Sequence, residues 1–216
     1  MDETIGTTGA GTTYRRYSRL GLYGLKPWFA DRLSSVRRVL VARGVRPGTI
    51  SAFGVLFGAG AGLVLAFTPP GPVRGITVAV LLIARLGCAN LDGAVAREAG
   101  SGTRFGVVVN ELGDRMAELA VLAGCLTSAP VWLVATAALA ASAPSWVSLA
   151  GVSAGATRIQ GGPVGKTERC LLLVVLASGG GDGPLLMLLA IGSALTAALR
   201  LRRLRTVLAV AEVSGS

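Results

Sequence analysis

The apolar residues of this chain gather into long blocks, and the breaks between them are short and rich in glycine, proline or arginine. Arg46-Pro47-Gly48-Thr49 reads as a turn. A first block runs from Thr49 to Phe67, where Thr68-Pro69-Pro70-Gly71-Pro72 ends it. A second starts near Val73, passes Cys88 into Asp92, and breaks at Gly100-Ser101-Gly102. A third covers Thr103 to Leu126, and Ser128-Ala129-Pro130 turns the chain into a fourth, Val131 to Val152, with Pro144 expected to kink it. Beyond a polar loop from Arg158 to Arg169, a fifth block from Thr167 to Ser178 is short for a bilayer. A sixth follows the glycine-rich stretch from Gly179 to Pro184 and reaches Leu199, where Arg200, Arg202, Arg203 and Arg205 are expected to stop it.

Blocks of this length and polarity predict an all-α, polytopic membrane protein with six transmembrane helices over residues 49–208. Gly54, Gly58 and Gly62 recur every fourth residue, a face on which another helix can pack closely. Upstream, Trp28, Phe29, Leu33, Val36, Leu40 and Val41 form a helical stripe with Arg32, Arg37, Arg38 and Arg43 off it. That predicts an amphipathic juxtamembrane helix on the lipid headgroups within residues 21–48. Residues 1–20 begin as a Gly/Thr-rich stretch without the apolar core of a signal peptide and are expected to be a disordered cytoplasmic tail.

Composition agrees with the pattern: 216 residues allow one domain, and 52% of them are hydrophobic. The net charge of +10 raises nucleic acid as a partner, but aromatics are only 5% and no nucleic-acid motif is present. The basic residues sit instead at block ends that six spans would place on one side, as the positive-inside rule requires. The expectation is a multi-pass protein of the cell (inner) membrane with both termini cytoplasmic and the bilayer's anionic headgroups as partner. Histidine is absent, which removes imidazole catalysis and imidazole metal ligands. Cys88, Cys125 and Cys170 lie in apolar blocks without CxxC spacing and read as packing residues.

One polar stretch interrupts this pattern where acids are expensive. Asn110, Asp114 and Glu118 climb one face of a helix, with Glu111 on its edge, and Asp92 precedes them at the end of the second block. The spacing Asp92-Gly93-x-x-Ala96-Arg97, then eight residues, Gly106, three residues, Asn110, three residues, Asp114 is specific. It resembles the signature D-x-x-D-G-x-x-A-R-x8-G-x3-D-x3-D of the CDP-alcohol phosphatidyltransferases.

That resemblance implies transfer of a phosphatidyl group from a CDP-linked lipid, such as CDP-diacylglycerol, to an alcohol acceptor, with release of CMP. It also implies a homodimer and Mg²⁺ or Mn²⁺ held by the signature acids, with Asp114 as both ligand and general base. Gly93, Ala96, Arg97, Thr103 and Gly106 fall at the nucleotide-binding positions. Arg158, Lys166 and Arg169 form a basic loop suited to an acceptor that carries a phosphate; topology and headgroup contact would explain the same charges.

This sequence departs from the signature at Ala89 and Asn110, where aspartates are expected. Asn90 and Glu111 stand beside the altered positions, although neighbouring helical residues point about 100° apart. Three arrangements follow: a rearranged ligand set drawing on Asn90, Glu111 or Glu118; a single-metal site; or a catalytically impaired homologue that binds lipid or CDP-lipid. A small ion carrier using the intramembrane acids is a further class. For Glu111 with Arg115 (i, i+4), and for Glu118 with Arg115 or Arg85, simple ion pairing is the competing reading. Gly161 to Thr167 resembles a phosphate-binding loop, but Gln160 occupies the first glycine position and no strand precedes it.

Overall fold

The computed structural model describes residues 26–214, with side chains from 28 to 210, so the expected tail over residues 1–20 lies outside it. Among the described residues every regular element is helical. These are α1 (Lys26–Arg32), α2 (Ser34–Ala42), α3 (Pro47–Phe67), α4 (Pro72–Glu98), α5 (Arg104–Ala123), α6 (Val131–Ser153), α7 (Lys166–Ala177) and α8 (Asp182–Ser214), with a 3₁₀ turn at Gly124–Thr127. Proline opens both α3 and α4, where its missing N–H costs nothing. Gly100 ends α4 at φ +60°, a conformation glycine adopts without strain.

Four helices are long and apolar enough to cross a membrane: α3, α4, α6 and α8. The other two apolar blocks fall short for different reasons. α5 carries Arg104, Glu111, Asp114, Arg115 and Glu118 along its length. α7 has 12 residues, a rise of roughly 18 Å against a hydrocarbon core of roughly 30 Å.

The expected juxtamembrane stripe divides. A turn separates α1 from α2, and Leu33, Leu40, Val41 and Val45 pack inward on Ile50, Leu91 and Val95. Trp28 is 58% exposed, with Val36 and Val39 also facing out. Arg37 meets Glu98 at 2.7 Å, tying α2 to the end of α4.

The glycine stripe of α3 is spent on α5 and α4. A Cβ at Gly58 would lie 2.7 Å from the Ala117 carbonyl oxygen, one at Gly62 would run into that of Ala120, and one at Gly54 would lie 3.3 Å from Cys88 Cβ. Backbone against backbone leaves no room to relax. Gly62→Ala is therefore expected to cost about 1–3 kcal/mol, read as a lower thermal midpoint in detergent. Gly48→Ala is the neutral control, because nothing lies within 4 Å of its added methyl.

Beyond this contact the core gathers Leu82, Leu122, Leu173, Leu176, Leu186 and Leu189 between α4, α5, α7 and α8. At the end of the bundle away from Asp92, the buried Arg74 donates to the carbonyls of Leu65, Thr68, Leu176 and Ala177, satisfying the ends of α3 and α7. The arginine cluster does not stop α8, which continues from Leu199 to Ser214. Arginine is a good helix former, so the charges end the apolar stretch without ending the helix. Arg200 donates to Gly161 O, Pro144 O and Ser148 Oγ, and Leu204 packs over Gly151.

Candidate active site

Helical periodicity puts Arg85, Ala89 and Asp92 on one face of α4, and Asn110, Gly113 and Asp114 on one face of α5. Where the two faces meet, together with Ser51, Gly54 and Cys88, they line a cavity of about 10 Å³. That is room for about one water-sized group. All four positions that the signature gives to aspartate, 89, 92, 110 and 114, are in this lining.

Asp92 is buried and held on both oxygens. Ser51 Oγ donates to Oδ2 at 2.9 Å, and the Gly93 N–H donates to Oδ1 at 2.6 Å. Asp114 is half-buried, and Lys166 Nζ donates to its Oδ1 at 2.5 Å. Arg85 Nη2 donates to the Asp114 carbonyl oxygen at 3.0 Å, fixing the backbone that carries the carboxylate.

A row of ion pairs extends along α5 from Asp114. Glu111 accepts from Arg158 at 2.6 Å. Glu118 accepts from Arg169 at 2.6 Å and from Arg115 at 2.5 Å, and Arg115 also approaches Glu111 at 3.8 Å. Two cations on one buried carboxylate satisfy a charge that the core would otherwise expel. Arg169 also reaches Val164 O, and Glu168 Oε2 accepts from the Gly165 N–H, so the loop is fixed at the start of α7.

These contacts sort the residues singled out in the sequence. Asp92, Asn110 and Asp114 come together. Asn90 and Glu111 do not join them: the Asn90 amide donates to Leu86 O at 2.8 Å, and Glu111 faces Arg158. Each sits one residue off a lining position, and one helical step turns it away. Glu118 belongs to the ion-pair cluster, as the competing reading held for Arg115, and its second partner is Arg169 rather than Arg85. Among the described residues no three of His, Cys, Asp or Glu converge on a point, and Asp92 and Asp114 are the two carboxylates in the lining.

Gly93 and Arg97 interlock, with Arg97 Nη1 lying 3.3 Å from where a Cβ at position 93 would stand. Ala96, half-buried, shares that turn. Thr103 caps α5 by accepting from the Gly106 N–H at 2.9 Å. Cys125 and Cys170 pack in the core, whereas Cys88 lines the cavity.

Two hydrogen-bonding side chains of the lining, those of Ser51 and Arg85, escaped the sequence reading as parts of the site. Ser51 gave no signal beyond its place after the Pro47 turn. Arg85 did: an arginine inside an apolar block, seven residues before Asp92, lies two turns away on the same face.

A model of the family described as CDP-alcohol phosphatidyltransferase matches residues 45–210. The chain belongs to that family. It is therefore an enzyme of the CDP-alcohol phosphatidyltransferase class, and its apolar helices make it a membrane protein. Among relatives of this family member, a phosphatidylinositol phosphate synthase of Mycobacteroides abscessus is 33% identical over 196 residues, covering 82% of this chain and 86% of that protein. The inner membrane protein YnbA of Escherichia coli is 26% identical over 153 residues, covering 70% of this chain and 76% of that protein. The crystal structure of the Mycobacterium tuberculosis phosphatidylinositol phosphate synthase with manganese and citrate superposes with a TM-score of 0.65 at 23% identity, covering 80% of this chain and 88% of that one. The same synthase with CDP-DAG bound gives 0.65 at 23%, covering 79% and 92%. At that identity the structural likeness establishes the fold.

Proposed function

We propose that this family member transfers the phosphatidyl group of a CDP-linked lipid, CDP-diacylglycerol or a close relative, to an alcohol, free or phosphorylated, and releases CMP. One observation carries this reading: the four signature positions, contributed by two helices, line a single cavity. The CDP-DAG complex of the tuberculosis enzyme supports the choice of donor.

The residues at the cavity fit one hard divalent cation, Mg²⁺ or Mn²⁺. Asp92 and Asp114 offer carboxylate oxygens, Asn110 an amide oxygen, and Ala89 nothing. Mg²⁺ is commonly held by one or two carboxylates with water and substrate phosphate completing the shell. The Lys166 ammonium on Asp114 Oδ1 marks the spot as one that favours positive charge. Asp92 and Asp114 would hold the ion with Asn110 beside them; Asn90 and Glu111, bonded elsewhere, stand outside the set. When bound, the cation would offset charge on the diphosphate and on departing CMP.

Asp114 takes the proton from the acceptor hydroxyl once Lys166 releases it. The hydroxyl oxygen then bonds to the lipid-bearing phosphorus, and the phosphorus–oxygen bond to CMP breaks. Lys166, turning from Asp114, and the exposed Arg158 receive a phosphate on the acceptor. Arg169, tied to Glu118, holds the first turn of α7 beneath them. Arg97, with Gly93, Ala96, Thr103 and Gly106 around it, serves the nucleotide end.

The family reading also makes α5 and α7 the third and fifth of six spans. The α5 charges then turn inward, both termini lie on the cytoplasmic side of the cell (inner) membrane, and the functional unit is a homodimer. The decisive experiment is CMP release from CDP-diacylglycerol by the purified protein with Mn²⁺. Binding of the donor without any CMP would replace the transferase by a lipid-binding homologue. The metal count is tested separately by paramagnetic resonance titration. The wild type takes one Mn²⁺ per chain, and Ala89→Asp combined with Asn110→Asp takes two. Two ions on the wild type would overturn the single-cation reading.

A further inference from the structure

Two buried arginines, Arg74 and Arg85, have no carboxylate within ion-pair distance among the described residues. They are not alike. Arg74 donates from all three guanidinium nitrogens to four carbonyl oxygens, using four of its five N–H bonds. Arg85, 2% exposed, makes one strong hydrogen bond, to Asp114 O, and a weak one of 3.8 Å to Cys170 Sγ. Its Nε is buried with no partner at all. A guanidinium taken out of water with one strong hydrogen bond and only a longer-range attraction to Glu118 is costly. A fold that keeps one at the wall of a cavity has a use for its charge.

The cavity's own acids are already engaged. Each oxygen of Asp92 already accepts one hydrogen bond, from Ser51 and from the Gly93 N–H, and Lys166 holds Oδ1 of Asp114. The two acids and the two bases at this site, Arg85 and Lys166, are formally neutral together. A divalent cation and a diphosphate bearing two negative charges would enter in balance. This sequence lacks two of the four signature carboxylates and places an arginine at the same cavity.

We infer that Arg85 binds a non-bridging oxygen of the diphosphate of the CDP-linked substrate, sharing with one divalent cation the neutralisation of that group. The inference rests on the transferase reading and names a further substrate-binding residue for it. The planar fork is the reason an arginine is needed, because Nε and an Nη can grip one phosphate together.

Three measurements on the full-length protein in detergent test it, using Arg85→Met and Arg85→Lys. Without ligand, Arg85→Met melts at or above the wild-type temperature. Its affinity for Mn²⁺ alone rises roughly threefold or more, since a nearby positive charge is gone. Its affinity for CDP-diacylglycerol falls at least about tenfold, with Arg85→Lys between the two. A merely structural arginine gives another pattern: Arg85→Met melts lower or fails to fold, and either result overturns the inference. Unchanged CDP-diacylglycerol affinity in a folded Arg85→Met overturns it too. Should the wild type bind the donor in an Arg85-dependent way but release no CMP, the transferase reading fails and this assignment stands. CMP release with the same KM in wild type and Arg85→Met sinks the assignment alone.

Discussion

Asp114→Asn is expected to lower kcat for CMP release by at least about 10²–10⁴-fold, the range over which a positioned general base contributes. The substitution is nearly isosteric. Its amide oxygen can still accept from Lys166, so the contact to α7 persists while the capacity to take a proton vanishes. The same change removes one of two carboxylates facing the cavity, so Mn²⁺ affinity falls with it. Rate and metal titration are read beside the thermal midpoint, which should move little because this pair is only half-buried. An Asp114→Asn enzyme retaining more than a tenth of the wild-type rate would remove Asp114 from the role of base.

Glu118→Ala gives the largest loss of stability, about 3–5 kcal/mol. Its carboxylate is the anion shared by Arg115 and the buried Arg169, and truncation strands Arg169 in the packed interior while leaving Arg115 only its longer contact to Glu111. Denaturant or thermal unfolding in detergent measures the effect. Replacing Glu118, Arg115 and Arg169 together by apolar side chains of similar volume should recover most of it, since the cost lies in leaving charges alone. A single-variant loss below about 1 kcal/mol, the level of a surface ion pair, would contradict this account.

The helices were legible because their boundaries are written in proline and glycine, as at Pro47, Pro72 and Gly100. The stop at Leu199 was not, because an arginine run ends an apolar stretch while the helical backbone tolerates it. Within the site, Asp92, Asn110 and Asp114 were found because a long spacing pattern selects them. Asn90, Glu111 and Glu118 read as candidate ligands because sequence shows proximity along the chain, whereas the direction of a side chain depends on how α4 and α5 rotate against α3. The glycine stripe sets that rotation, through contacts at Ala117 and Ala120 that no local pattern announces. Arg85 was visible as an anomaly, but its open Nε emerges only when every neighbouring acceptor has been assigned.

The three cross-links between α5 and the segment from Arg158 to Arg169 differ in their access to water. Arg158 is 44% exposed, Lys166 24% and Arg169 6%. Electrolyte weakens the outermost link first and barely reaches the innermost. On that gradient the segment is expected to open like a zip whose slider sits at Arg158, from the wet end inward, with Arg169 as its anchor. A hydrophilic alcohol would gain entry beside Asp114 without any disturbance of the membrane-buried bundle.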